Sequence, residues 1–280
     1  MSTVSAELVY FSPPPDGSRP FTSINADAKT GQRASNWLPE VHTVEIENVR
    51  GKESNYALGT AGFQYHTRPS KHATFVDDEE IRREYYPESI ELIKQVTGAS
   101  KVVLFDHTVR RHRPGDPETD ENKRQPVAQV HVDQTPASAT ARVHRHLPAA
   151  EGERLVKKRF QIVNLWRPIS HPAIDYPLAL CDYRSVDVKN DLVPVTLVYS
   201  DHEGETYGVK FNPSHKWKYK KEMNLDEVVL IKCYDSANYD SAKDENIAVF
   251  TPHTGFKDPS APRGAPLRES IELRALVFYE

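Results

Sequence analysis

The stretch PVAQVHVD (Pro126–Asp133) decides how the rest of the chain is read. A proline opens it, valines dominate it, and a turn-forming QTP follows, so it reads as a short strand. His131 and Asp133 stand two apart at its end, which puts both side chains on one face of an extended chain. Eight further runs have the same character: KVVLFDHTV (101–109), RFQIVNLW (159–166), PLALCDYRSV (177–186), VPVTLVYS (193–200), ETYGVKFN (205–212), EVVLIKCY (227–234), NIAVFTP (246–252) and SIELRALVFY (270–279). Many short β-branched or aromatic runs bounded by Pro, Gly, Asp or Asn predict a sandwich or barrel. The loop SDHEG (200–204) reads as the turn of a hairpin.

The first hundred residues read differently. Pro13–Pro15 and the polar stretch 16–36 form an irregular arm, and His42–Gly51 alternates enough for a strand. DDEEIRREYYPESIELIKQVTG (77–98) reads as helix, with carboxylates where the macrodipole favours them, Gly98 to close it and Pro87 to divide it or begin a second helix. Ile90, Leu92, Ile93 and Val96 supply its apolar face. Two weaker helices are expected at 139–146 and 151–158. The organisation predicted is one domain over 1–280, with an N-terminal arm and strands over 1–50 and a β core over 101–280.

Composition excludes several classes. Lys and Arg number 36 against 40 Asp and Glu, for a net charge of −4 spread along the sequence, so no basic footprint marks a nucleic-acid partner. Mean hydropathy is −0.64, and no run approaches the roughly 20 apolar residues of a membrane span. The N-terminus lacks the basic and apolar regions of a secretory signal. Cys181 and Cys233 lie in apolar runs and read as buried free thiols, which fits a reducing cytoplasm. The expected partner is a small molecule, bound by a monomer or homodimer.

The chemistry rests on order. His131 and Asp133 end an early strand, His253 follows a late one in VFTPHTGF (249–256), and Arg268 and Ser270 come shortly after in PLRESIEL (266–273). Two histidines and one carboxylate form a facial ligand set suited to non-haem Fe(II), with coordination positions left open. His-x-Asp alone is weak among 12 histidines, and His107, His144, His146, His171, His202 and His215 are rivals for the third place. Zinc takes the same ligands, but a zinc hydrolase has no use for Arg268 and Ser270. A guanidinium grips a carboxylate bidentately, and the hydroxyl adds a bond, as the far end of 2-oxoglutarate requires. Arg274 competes, since Arg268, Ser270, Glu272 and Arg274 share strand parity. The opposite parity, Ile271, Leu273, Ala275 and Val277, looks the better buried, and a bulge would resolve that tension. Asn164 and Arg167, polar groups in and after an apolar strand, are candidate partners for the oxoacid or substrate. A strand-end network explains them as well. Residues 55–66 and the charged loop 110–125 are candidate substrate contacts.

NYALGTAGFQYHTRPS (55–70), VHVDQTP (130–136), RFQIVNLWRPI (159–169), LALCDYRSVD (178–187), GETYGVKFNPSHKWKY (204–219), FTPHTGFKDP (250–259) and APLRESIELRALVFY (265–279) resemble a fungal family. It is the family grouped with cephem-methoxylase- and gibberellin-desaturase-like proteins, which includes aspergillic acid-type hydroxylases and enzymes of meroterpenoid pathways. The resemblance implies a double-stranded β-helix (jelly-roll, cupin-like), an Fe(II)- and 2-oxoglutarate-dependent dioxygenase using dioxygen, and a secondary-metabolite substrate. Hydroxylation, desaturation and oxidative rearrangement are all implied outcomes. His131, Asp133 and His253 match the family's metal pattern. A cupin-like metal-dependent isomerase or dioxygenase without the oxoacid, and a non-catalytic accessory protein, are the alternatives.

Overall fold

The strand runs assemble into two sheets. The computed structural model describes residues 3–25, 33–116, 124–237 and 247–280. The elements, in chain order, are β1 (Thr3–Ser12), β2 (Phe21–Ser23), β3 (Leu38–Asn48), β4 (Phe63–Thr67), α1 (Asp78–Glu80), a π turn (Ile81–Tyr85), α2 (Tyr86–Thr97), β5 (Lys101–Arg111) and β6 (His131–Val132). There follow α3 (Pro136–His146), α4 (Ala149–Leu155), β7 (Phe160–Pro168), β8 (Leu178–Cys181), β9 (Leu192–Val198), β10 (Glu203–Val209), β11 (Trp217–Tyr219), β12 (Glu227–Asp235), β13 (His253–Gly255) and β14 (Glu269–Phe278). The larger sheet runs β1-β3-β11-β8-β13-β6-β10-β9-β2 and the smaller β4-β12-β7-β14-β5. Together they form the curled β architecture of a jelly roll.

One core cluster, with Leu8, Tyr10, Ile46, Val132, Cys181 and Trp217, lines the larger sheet, and two others lie on the two faces of the smaller one. Ile271, Leu273, Ala275 and Val277 of β14 pack with Val163 and Leu165 of β7 against Ile81, Tyr85, Leu92 and Ile93 of the helical segment. On the other face Leu276 and Phe278 join Phe160, Ile162, Trp166, Ile231 and Leu180. This removes the tension seen in the sequence. The Ile271 face is buried outward under a helix, and the Arg268–Arg274 parity faces the interior between the sheets. No bulge in β14 is needed. The register shift lies opposite, where Arg274 pairs with Asp106 and Ala275 with Leu104, so Phe105 is the extra residue on β5.

The helix over 77–98 forms as expected. Asp77 accepts from the Glu80 N–H, Pro87 sits in the first turn of α2, and Gly98 closes it in the left-handed region at φ 69°. The strands expected with the N-terminal arm include a ten-residue one at its start, because Val4, Ala6, Leu8 and Tyr10 alternate inward and β3 covers the full length of β1. Two expectations need correction. The described part of NIAVFTP, residues 247–252, supplies no ladder. Over 247–252 the chain is held by Ala248 N–H to Gly59 O, by Lys232 Nζ to Ala248 O at 2.7 Å and by Thr251 Oγ1 to Gly62 O at 2.6 Å. Residues 55–66 build core rather than site: Tyr56, Phe63 and Tyr65 are buried in the interior cluster. Residues 117–123 of the charged loop and 26–32 of the arm lie outside the described residues.

Gly62 has φ +88°, and a Cβ there would lie 2.3 Å from Thr251 Oγ1 and 2.8 Å from Phe250 O. Gly62→Ala is therefore expected to destabilise the chain by roughly 2–3 kcal/mol, read as a lower urea midpoint with an unchanged slope. A second expectation concerns acid. Burial pushes the Asp235 carboxyl up, but Arg159, Lys232 and Gln161 outweigh it and bring it to about 2, below the ordinary 3.8. Its stabilisation is complete above the unfolded value and is lost as pH falls toward about 2. Asp235→Asn flattens that acid limb in pH-dependent thermal melts.

Candidate metal and oxoacid site

His131, Asp133 and His253 converge. His253 in β13 is the direct antiparallel neighbour of His131 in β6, and their ring centroids are 4.4 Å apart. Asp133 lies one residue beyond β6 and places Oδ1 3.2 Å from His131 Nε2 and 3.8 Å from His253 Nε2. The three candidate ligand atoms all lie within 4.8 Å of one another. Donors about 2.1 Å from a shared ion are separated by about 3–4 Å, so the cluster suits one ion.

The surroundings fix which atoms face the centre. His131 Nδ1 donates to Gln129 O at 2.8 Å and His253 Nδ1 to Thr251 O at 3.0 Å. A carbonyl only accepts, so each proton sits on Nδ1 and each Nε2 presents a lone pair. Asn164 Nδ2 donates to Asp133 Oδ2 at 2.7 Å, which leaves Oδ1 toward the two imidazoles. Burial pushes the Asp133 carboxyl up. The His131 hydrogen bond and the charges of His253, His131 and Arg274 outweigh that and hold it well below the usual range. In His253 burial dominates, helped by repulsion from His131, and lowers its pKa. Both effects keep Asp133 and His253 in their ligating forms; burial also pushes the His131 imidazole down, but its hydrogen bond to Asp133 and that carboxylate's charge outweigh it and raise its pKa.

A cavity of about 40 Å³ runs from this cluster to Arg268, walled by Trp166, Leu178, Gly255, Glu272 and Arg274 among others. Arg268 is 2 % exposed. Its guanidinium lies 5.6 Å from the Trp166 ring centre and 5.7 Å from that of Tyr176, and Nη1 donates to Tyr176 O at 2.9 Å. Nε is buried with no partner. Burial, with Arg110 nearby, brings its pKa down to about 10, so it stays charged at neutral pH. Its backbone is clamped on both sides. Asp175 Oδ1 accepts from Arg268 N at 2.7 Å, and His112 N donates to Arg268 O at 2.8 Å, while the Asp175 carboxylate pairs with the His112 ring. A buried donor without a partner costs roughly 1–3 kcal/mol, and a carboxylate entering the cavity removes that cost.

Arg274 is saturated instead. It pairs with Glu272 at 2.6 Å and Asp106 at 3.1 Å and donates to Thr108 Oγ1 at 3.0 Å. Burial opposes its charge, but Asp106, Glu272 and Asp133 outweigh burial and hold its pKa well above normal. Ser270 is buried on the Arg268 face of β14, opposite Pro168. Asn164 stands directly across from Arg274 and meets Asp133, so it supports a candidate ligand rather than the oxoacid. Arg167 is a correction. It has the opposite parity, lies over the Tyr85 ring at 5.2 Å, and donates to Arg68 O and Leu225 O on the helix-covered face. His215, one rival ligand, is tied to Asp191 at 2.9 Å. Sequence reading missed Tyr176 and Asp175 and gave Trp166 no role, whereas Arg110 opens the charged loop it marked as a candidate contact. Only the proximity of DYP (175–177) to an apolar strand hinted at the first two, because their convergence on Arg268 is tertiary.

Two sheets that enclose a His/Asp/His cluster beside a buried, anion-seeking guanidinium define an oxygenase that pairs a metal ion with an oxoacid. The sequence matches, over residues 8–278, the family described as oxidoreductase/YMDC permease-like domain. No helix among the described residues is long and apolar enough to cross a membrane. The hydroxylase/desaturase efuI of Hormonema carpetanum is 35% identical over 300 residues, 99% of this chain and 96% of that one. The Fe(II)/2-oxoglutarate-dependent dioxygenase nvfI of Aspergillus novofumigatus is 33% identical over 294 residues, 96% of this chain and 95% of its own. A solved structure of the iron and alpha-ketoglutarate-dependent endoperoxidase NvfI superposes with a TM-score of 0.85 at 28% identity, covering 99% of this chain and 98% of that one. The chain belongs to this family of fungal Fe(II)/2-oxoglutarate-dependent dioxygenases. It is an oxidoreductase that uses Fe(II), 2-oxoglutarate and dioxygen.

The two arginines separate by substitution. Arg268→Ala is expected to raise the 2-oxoglutarate requirement about 30-fold or more, the scale of losing one partner of a buried charge pair (~2–5 kcal/mol). Arg274→Met is expected mainly to lower the melting midpoint, because it strands Asp106 and Glu272. Titrations of cosubstrate followed by succinate release, beside thermal melts of both variants, check the split.

Proposed function

We propose that the chain acts as one catalytic domain that oxidises a C–H bond of a small fungal natural product, with His131, Asp133 and His253 holding Fe(II). Arg268 receives the distal carboxylate of 2-oxoglutarate, and Ser270 stands on the same strand face. The orphaned Nε of Arg268 in the metal cavity carries this reading. An oxygenase or isomerase without an oxoacid has no need of a buried guanidinium that lacks an acidic partner.

With metal, oxoacid and dioxygen bound, the site couples decarboxylation of 2-oxoglutarate to succinate and CO₂ with oxidation of the substrate. The protein's own residues do the positioning. Gln129 O and Thr251 O orient the imidazoles, Asn164 turns Asp133, and Trp166 and Tyr176 sandwich Arg268 and dry its surroundings. Arg274 neutralises Glu272 and Asp106, so that neither carboxylate competes for the ion or repels the oxoacid. Relatives named hydroxylase/desaturase and endoperoxidase support an oxidative outcome on a small molecule. Two buried free cysteines support a cytoplasmic location.

Succinate release from 2-oxoglutarate under air, dependent on added Fe(II), tests the assignment. His131→Ala is expected to abolish it and to weaken Mn(II) binding, measured by electron paramagnetic resonance, by at least about tenfold. The melting midpoint of the metal-free protein is expected to stay within a few degrees. Full succinate release by the His131→Ala variant sinks the ligand assignment.

A further inference from the structure

A second, larger chamber of about 580 Å³ adjoins the His/Asp/His cluster and shares Arg110, Val127, His131, Asp133 and Arg274 with the small cavity. That volume suits a drug-sized organic molecule. Its charged lining is unlike the chain as a whole. The chain carries 40 acidic and 36 basic residues, whereas the lining holds five arginines, Arg33, Arg110, Arg124, Arg142 and Arg274, and two carboxylates, Asp106 and Asp133. Those carboxylates are committed, Asp106 to Arg274 and Asp133 to the metal cluster and Asn164. Among the described residues the lining holds no further carboxylate.

Arg142 is the most telling of them. It projects from α3, half-buried, with its guanidinium 5.6 Å from the Phe105 ring centre. Among the described residues no carboxylate lies within ion-pair distance of it. It also lines the adjoining chamber of about 300 Å³, so it stands where the two spaces meet, beside Asp133. Phe105, the extra residue that the register shift inserts into β5, supplies the ring on which it rests. A guanidinium held near an aromatic ring by its charge still has N–H donors for two parallel bonds to a carboxylate. Arg124 also lines the larger chamber. The remaining walls mix apolar and polar groups, with Val127, Val195, Leu197, Tyr199 and Tyr207 beside Gln125, Gln129 and Gln134.

We propose that this chamber selects an organic acid: a partly apolar, partly polar skeleton bearing a carboxylate or comparably acidic group, which Arg142, assisted by Arg124, pairs with while the skeleton is held beside the His/Asp/His cluster. The inference rests on the oxygenase reading of the metal site, and it makes Arg142 a specificity-determining residue outside the metal and oxoacid sets.

The test uses the full chain without metal or oxoacid and two fluorescent dyes of one skeleton. One is 1-anilinonaphthalene-8-sulfonate, an anion, and the other is the neutral N-phenyl-1-naphthylamine. The anion is expected to bind at least about tenfold tighter at low salt. Arg142→Met, which keeps the stem on Phe105, is expected to erase at least about fivefold of that preference while leaving the neutral dye within about twofold. Adding Arg124→Met should erase the rest. Arg83→Met, an exposed substitution on the helical segment outside β5, should change neither. If Arg142→Met melts early, Arg142→Gln takes its place. Equal binding of the two dyes, binding of neither, or a loss in the Arg142 variant shared by both dyes overturns the proposal. Because dye binding needs no metal and no cosubstrate, its failure alongside intact succinate release removes this inference alone, and the reverse removes the oxygenase reading.

Discussion

The pairing of β6 with β13 is the constraint on which the site depends. It sets His253 opposite His131, and a slip of one residue turns one imidazole to the other face of the sheet. Two strands of two and three residues cannot hold that register by themselves. It is held from outside: β13 also pairs β8, Gly255 N–H donates to Val127 O, and Cys181 N–H donates to Pro252 O. The segment leading into His253 is pinned by Thr251 on Gly62 and by the buried Lys232 on Ala248. A lysine with 1 % of its side chain exposed is costly to bury, and Asp235 keeps its charge satisfied. Much of the buried polar network outside the site thus positions the third candidate ligand.

The sequence made the strands and the order of the site residues legible, because alternation and punctuation by Pro and Gly are local. It also marked the helix over 77–98, where cap, proline and glycine agree. It left the face of β14 undecided. Both parities of that strand are buried, and polarity alone cannot tell an interior site from a solvent face when Glu272 and Arg274 neutralise one another inside. The run at 247–252 misled for a related reason: an apolar, β-branched sequence is compatible with any buried extended segment. Side-chain anchors, not a ladder, hold this one. Arg167 was misplaced because a strand's end was read without its parity, and parity sends it to the helix side.

Arg268 and Arg274 show how the same residue on the same face acquires different roles. Arg274 sits mid-strand among Asp106, Glu272 and Asp133, and its charge is spent within the protein. Arg268 precedes the strand, beyond the last carboxylate, between two aromatic rings and a carbonyl. Charge-assisted bonds are strong in a low-dielectric interior, and an unsatisfied guanidinium there is correspondingly costly. A fold that retains such a group, and clamps its backbone through Asp175 and His112, keeps binding energy in reserve for a ligand that brings its own negative charge.

The same electrostatics bear on how the two spaces around the metal cluster communicate. Arg110 lines both of them, and its charge lies close enough to Arg268 to depress the latter's pKa. An anion placed in the small cavity relieves that repulsion and reduces the positive field on the Arg110 side of the larger chamber. Occupancy of the oxoacid cavity therefore leaves the positive field of the larger chamber concentrated on Arg124 and Arg142, away from the shared wall. On the proposed reading, an acidic substrate is drawn toward Arg142 on α3 and not toward Arg268, so two anions in neighbouring spaces beside the His131/Asp133/His253 cluster do not compete for one partner.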